Sequence, residues 1–499
     1  MQKSCLRRLA EFNPPPYRSG RATKTPVDPV HPFRSLRREG RSCMGTSMGM
    51  ATPRLDIAVV GSGIAGLAAA WLLAREHRVT LLEAAPRLGG HVNTIEVPGP
   101  RGPVPVDTGF IVYNEATYPN LTALFRHLGV ATQPSEMSFS VSLDDGALEY
   151  AGTNLAGLFA QRRNLLRPRF WSMLRDLRRF YRTAPHDRDA LADADLTLGA
   201  YLDRHGYGAA LRDDHLLPMA AAIWSGGTAA LAEYPAASFI RFCANHGLLQ
   251  VTGRPQWRTV TGGSAAYVRK LLADFQGEIE TGQPVLSVRR LPDGVAVRTG
   301  AGLERTFDQV VLATSAPRAL AMLSDPTEAE RALLGAFGAT RNLAVLHTDA
   351  GLMPKRRAVW ASWNYLGRRA PQAGAELCVT YWMNRLQGIS GERPVFVTLN
   401  PPRPPEAGTL LHSELYEHPL FDAAAVRAQR HLWRLQGVRR TWFCGAWFGA
   451  GFHEDGLQAG LAVAEQLGGV ARPWSVENPS GRIHVGPPPM APANAAAAA

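Results

Sequence analysis

The stretch from Leu55 to Thr94 constrains this chain more than any other. It reads as an apolar strand, a glycine turn, a helix, a second strand and a further pair of glycines. Ile57 to Val60 form the strand. Gly61, Gly63 and Gly66 follow in G-x-G-x-x-G spacing, with Ser62, Ile64 and Ala65 among them. In that spacing the first glycine permits a tight turn, the second lets backbone approach a pyrophosphate, and the third lets helix and strand pack closely. The helix N-terminus adds free N–H groups and a positive dipole end for the same pyrophosphate. Glu83 ends the second strand, where a carboxylate accepts hydrogen bonds from a ribose diol. A glycine triplet alone is an ordinary turn. With strand, helix and acid in place it predicts a nucleotide-binding α/β unit of roughly 30 residues.

The residues after Glu83 bear on which nucleotide. They run Ala84-Ala85-Pro86-Arg87-Leu88-Gly89-Gly90-His91. An acid followed by x-x-x-Arg-x-Gly-Gly resembles the FAD-binding extension of the flavin amine oxidase and phytoene desaturase superfamily. The resemblance implies FAD as cofactor, with Ala84, Arg87, Gly89, Gly90 and His91 among its contacts. Relatives often carry arginine where this chain has His91, which weakens the phosphate contact expected there. No arginine directly follows Glu83, so the 2′-phosphate of NADP has no evident partner. No second G-x-G-x-x-G follows a strand downstream, so no separate nicotinamide domain is expected and electrons come from the substrate itself.

The superfamily resemblance covers about Leu55 to Trp474. It implies a glutathione-reductase-type fold: an α/β, Rossmann-like FAD-binding domain interleaved with an α+β substrate domain. The expected boundaries are 55–117, 250–327 and 439–474 for the first and 118–249 and 328–438 for the second. Val106-Asp107-Thr108-Gly109-Phe110 matches the segment that re-enters the flavin domain, where the resemblance implies that Gly109 approaches the isoalloxazine and that Thr108 and Phe110 also contact the cofactor. Residues 118–249 are expected to be largely helical. Thr261-Gly262-Gly263-Ser264 opens a helix. Pro284-Val285 starts a strand, and in relatives the backbone at Val285 meets the adenine. Phe307 to Thr314 carries apolar residues without alternation, as a buried parallel strand does. In the closing motif, Thr441 to Gln466, a strand is expected to end at Gly445 and a helix to begin near Gly456. The resemblance implies that Gly445, Gly456 and Leu457 meet the flavin, with the helix dipole stabilising negative charge on its reduced form. Many relatives have an acid where this chain has Ala446.

Longer runs, among them DTGFIVYNEATYPNL, RPQWRTVTGGS and FCGAWFGAGFHEDG, resemble a bacterial family of predicted NAD/FAD-binding, amine-oxidase-like proteins. Such proteins are often encoded beside cyclopropane-fatty-acid-synthase-like methyltransferases. That implies removal of hydride from a lipid acyl-like substrate to flavin N5, and a lipid methyltransferase as a partner. A flavin amine oxidase and a non-redox flavoprotein partner of the methyltransferase are the alternatives.

Composition adds limits. The 499 residues are 45% hydrophobic and 19% charged, which suits a globular protein of two or three domains. Residues 1–54 hold 11 basic and 3 acidic side chains, so +8 of the net charge of +12 lies there and +4 in the rest. The body therefore carries no nucleic-acid signature. Residues 1–54 and 475–499 are expected to be disordered. Of five cysteines, Cys5 and Cys43 fall in the first of these segments. Cys243, Cys378 and Cys444 sit in apolar contexts, where buried free thiols are usual. A reducing, cytoplasmic compartment fits. No apolar run is long enough to span a membrane. No His/Cys spacing suggests a metal.

Flavin oxidation asks the protein for a dry pocket rather than a nucleophile or metal. Trp224, Trp360, Trp363, Tyr365, Tyr381, Trp382, Trp442, Trp447 and Phe452 are candidates for its wall, although core packing explains most such residues. Trp447 to Phe452 are the stronger candidates because they precede the flavin-facing helix. His453 is the candidate acid or base. Capping by Glu454 and Asp455 is the alternative use of that stretch. Lys270 and Lys355 are not where an amine oxidase places its lysine, and Arg341 lies closer. Gln161 to Arg182 holds eight arginines and one acid, with apolar residues at helical spacing. That pattern suits either a solvated helix face or peripheral contact with an anionic membrane at the inner face.

Overall fold

The computed structural model describes residues 54–99, 102–187, 196–250, 252–369, 377–391 and 393–487. Five parallel strands form one sheet in the order Glu278–Glu280, Arg78–Leu82, Asp56–Val60, Gln309–Leu312 and Thr441–Phe443. Val60 pairs with both Leu82 and Leu312, so the strands end level. The loops holding Gly61, Glu83 and Ala313 therefore emerge at one carboxyl edge, where open α/β sheets bind ligands. Ile57, Ala58, Val59 and Val310 to Leu312 are fully buried, as strands covered on both faces must be.

The helix Ile64–Leu73 follows the glycine turn, and every residue of it is buried. It is apolar all round because other elements surround it. One of them is the helix His453–Gly468, which begins three residues earlier than expected. The strand before it ends at Phe443, and a 3-10 turn, Ala446–Phe448, fills the interval.

A second, seven-stranded sheet runs Leu410–Leu420, Gly338–His347, Phe396–Leu399, Cys378–Trp382, Trp363–Gly367, Phe139–Leu143 and Leu148–Ala151. Its pairs are antiparallel except Trp363–Gly367 with Phe139–Leu143. Residues 118–249 thus hold three strands besides helices, the third being Thr132–Ser135. Phe139-Ser-Val-Ser-Leu has the two-residue period of a strand. Its serines are buried but satisfied, Ser140 by Asn364 and Ser142 by Glu149.

Residues 1–53 and 488–499 lie outside the described residues, with Cys5 and Cys43. The expected disordered tail is corrected for residues 475–487, which pack. Arg482 donates to Asp455 at 2.6 Å and to the Thr117 carbonyl at 2.9 Å, and Ile483 is buried. Cys243, Cys378 and Cys444 are buried free thiols. No helix among the described residues is long and apolar enough to cross a membrane.

Candidate cofactor site

Gly61 turns the chain at φ +101°, and a Cβ there would lie 2.8 Å from the Ala313 carbonyl oxygen. A Cβ on Gly66 would lie 1.9 Å from the Gly61 carbonyl oxygen, so helix and turn touch through backbone. Gly63 differs, because nothing lies within 4 Å of its Cβ position. It caps the helix Ile64–Leu73 without a side-chain hydrogen bond, and the first turn has no acid. The amides of Ile64, Ala65 and Gly66 have no acceptor among the described residues, although these residues are buried. A buried helix end needs acceptors for such groups. A diphosphate would supply them, and the side of Gly63 is open.

The second glycine turn is tied to the first. Gly89 donates its amide to the Ser62 carbonyl at 3.1 Å, and Gly90 sits against Gly63. Ser62 donates its amide and its hydroxyl to Glu83 Oε2 at 2.8 and 2.6 Å, and Ala85 donates its amide to Oε1. Glu83 is therefore aimed by three donors and keeps lone pairs for a diol. Ala84 is exposed beside it. Gln283 donates its amide to the Glu83 carbonyl, which brings Val285 to this end of the sheet. Arg87 folds over the second turn, bonds the Gly90 carbonyl at 2.7 Å and pairs with Glu414 at 3.8 Å.

His91 and the Thr108–Phe110 segment form the next wall. The Phe110 amide bonds the His91 carbonyl at 2.8 Å, and a Cβ on Gly109 would lie 2.2 Å from that oxygen. The His91 ring is accessible yet has protein around it, stacked on Tyr416 at 5.1 Å and 5.2 Å from His418. Burial and the Arg87 charge lower its pKa. Burial and His91 push His418 down to about 3. Thr108 meets the Tyr416 hydroxyl at 2.8 Å.

The far wall is the start of the helix His453–Gly468. A Cβ on Gly456 would lie 2.9 Å from Ile64 and 3.5 Å from the Ala446 amide nitrogen, so the two helix N-termini converge. Leu457 is wholly buried beneath them. Gly445 admits the Trp447 indole, whose N–H bonds the Thr314 carbonyl. The His453 ring stacks on Phe110 at 3.8 Å and 10°, with Nε2 2.6 Å from the Tyr267 hydroxyl. Burial and His91 push its pKa down to about 3. Asp455 accepts the Phe452 amide and so caps its own helix, whereas Glu454 accepts the amides of Asn120 and Leu121 and so caps the helix Pro119–His127.

The expected aromatic wall is corrected in part. Trp447 and Phe448 pack in the core against Phe337 and Trp433. Trp224, Trp360, Tyr365, Tyr381 and Trp442 are also buried. Phe452 is half-buried and stacks on Phe242 at 4.6 Å, with Trp224 and His246 nearby. Lys270 bonds the Leu128 carbonyl and Lys355 pairs with Asp145, both at the surface, and Arg341 is exposed. Sequence reasoning missed Tyr267, Tyr416 and His418. It also missed buried Asp107, which accepts from Thr94, Ser264 and Gln387 and ties the Gly262-Gly263 turn to the site.

A glycine turn at the carboxyl edge of a parallel sheet, an acid at the next strand end and a second helix N-terminus opposite form the architecture of FAD-dependent oxidoreductases, and this chain is one. Residues 64–354 match the model of the flavin containing amine oxidoreductases, and the chain belongs to that family. An L-amino-acid oxidase from Bungarus fasciatus is 64% identical over 39 residues, a match spanning 8% of either chain. A CLA-producing fatty acid isomerase from P. acnes shares the fold with a TM-score of 0.57 at 17% identity, over 81% of this chain and 97% of that one. Wild-type putrescine oxidase bound to putrescine does so with a TM-score of 0.60 at 14% identity, over 83% and 99%.

Proposed function

We propose that this chain oxidises an apolar, acyl-like substrate by removing hydride from a C–H bond. The carrying observation is that the groups around the site are apolar, neutral or already ion-paired. His91, His246, His418 and His453 all have lowered pKa values, chiefly through burial. Nearby carboxylates are occupied, Glu414 by Arg87 and Glu417 by Arg318. An alkyl chain suits such walls, and an ammonium group gains no free counter-charge there. FAD supplies a two-electron hydride acceptor when bound. In this reading the amides of Ile64, Ala65 and Gly66 hold the diphosphate, Glu83 holds the adenosine ribose, and Arg87 braces the second turn. Phe110, Phe242 and Phe452 exclude water from the reacting C–H bond. The resemblance to proteins encoded beside lipid methyltransferases supports a lipid source and such a partner.

Amine oxidation is the second reading, favoured by the family's description and by the shared fold of putrescine oxidase. Anaerobic mixing separates the two. Bleaching of the flavin band by acyl lipids and not by putrescine or monoamines supports the proposal. Bleaching by amines alone overturns it, as does rapid reduction by NADPH. Contact with anionic bilayers is a further proposal, supported by exposed Arg175, Arg178 and Arg182 on the helix Pro168–Asp187. Phe170 is buried in the core and does not insert.

A further inference from the structure

Tyr267 lies on the helix Ala265–Asp274 and is fully buried. Its hydroxyl has one partner among the described residues, His453 Nε2 at 2.6 Å. Were Nε2 protonated, it would donate to the phenol oxygen and leave the hydroxyl proton with no acceptor. Leaving that buried donor unsatisfied is unfavourable. The favoured arrangement has Tyr267 donating to Nε2, which places the imidazole hydrogen on Nδ1. The ring is neutral, because burial and His91 hold its pKa down to about 3. Phe110, face to face at 3.8 Å, fixes the ring plane.

Nδ1 has no partner among the described residues. It is also not among the occluded, unsatisfied polar atoms, where His246 Nε2 is found. His453 is half-accessible and starts the helix whose Gly456 touches Ile64. A neutral donor is thus left beside two converging helix N-termini, where electron-rich acceptors are favoured.

We infer that His453, its tautomer set by Tyr267, donates Nδ1–H to the acceptor edge of the flavin pyrimidine ring and favours the reduced cofactor. This rests on the FAD site proposed above. In this role His453 moves no proton, and Tyr267 is a positioning residue acting through it.

The test is the two-electron midpoint potential of bound FAD, by dye-linked titration of purified holoprotein, with FAD content read separately. His453→Leu is expected to disfavour reduction about tenfold, which corresponds to about 30 mV. His453→Asn, whose amide N–H overlies the Nδ1 position, is expected to stay near wild type. His453→Gln, whose amide overlies Nε2, is expected to follow Leu. Tyr267→Phe frees the tautomer and is expected to fall between. FAD retained at an unchanged potential in His453→Leu and Tyr267→Phe overturns the inference alone. Wild-type protein that cannot be loaded with FAD overturns the underlying site. If His453→Leu does not fold, Tyr267→Phe and His453→Gln against His453→Asn decide.

Discussion

Gly460 and Ala65 touch through backbone. A Cβ on Gly460 would sit 2.1 Å from the Ala65 carbonyl oxygen, so the helix His453–Gly468 can reach the glycine-turn helix only with glycine at that position. Alanine normally gains about 1 kcal/mol over glycine inside a helix. Here the overlap is expected to outweigh that gain. Gly460→Ala should destabilise by roughly 2–4 kcal/mol. Calorimetry should show a Tm lower by about 2–4 °C. An unchanged or raised Tm contradicts the packing described.

Ser62 and Glu83 share the charge-assisted bonds that aim the acid. Glu83→Gln removes the charge and leaves one serine donor poorly matched. FAD affinity is expected to fall about tenfold, in line with about 1.4 kcal/mol for one charge-assisted bond. Fluorescence titration of the apoprotein measures it. Unaltered affinity removes Glu83 from the site.

Burial pushes the Asp107 carboxyl up to about 6, against hydrogen bonds from Thr94 and Ser264. The ordinary value is 3.8, so the folded protein holds more protons than the unfolded chain between these values. Asp107 therefore contributes stability that is full below pH 4 and is lost as pH rises through 6. The change is on the order of 3 kcal/mol. Urea unfolding of wild type and Asp107→Asn across pH 4 to 7 should show a difference that drifts in that direction. A pH-independent difference contradicts it.

Arg178 and Arg182 are exposed and form no ion pair with the described residues, and Arg175 is 76% exposed beside Asp176. Arg179 instead stacks on Tyr207 and bonds the Gly206 carbonyl. Charge reversal at Arg175, Arg178 and Arg182 is expected to abolish co-sedimentation with anionic vesicles at low salt and leave the Tm unchanged. Each lost charge is worth at most about 1 kcal/mol. Binding to neutral and anionic vesicles alike, or to neither, rejects the contact.

The strand–turn–helix–strand unit around the glycines was legible because its pattern is local. Gly61, Gly63, Gly66 and Glu83 lie within one strand–turn–helix–strand unit. Pairings between distant segments were less so. Asp107 meets residues 157 and 280 positions away, and Tyr267 meets His453 across 186. No window of sequence carries such pairings. The aromatics at 447–448 looked like channel lining because they precede the helix, but Gly445 admits the Trp447 ring into the core instead. Ser140 and Ser142 hid a buried strand, because their burial depends on Asn364 and Glu149 satisfying them.

The central claim is that the glycine turn and its uncapped helix hold FAD, and Gly63 tests it most directly. Nothing lies within 4 Å of its Cβ position and its φ is −63°, so a side chain there meets ligand space rather than protein. The measurement is flavin absorbance per chain, after reconstitution, for wild type and Gly63→Trp matched by circular dichroism. Saturable FAD loading in wild type, lost in an equally folded Gly63→Trp, is the expected result. Wild type that stays colourless, or Gly63→Trp that loads equally well, would contradict the claim.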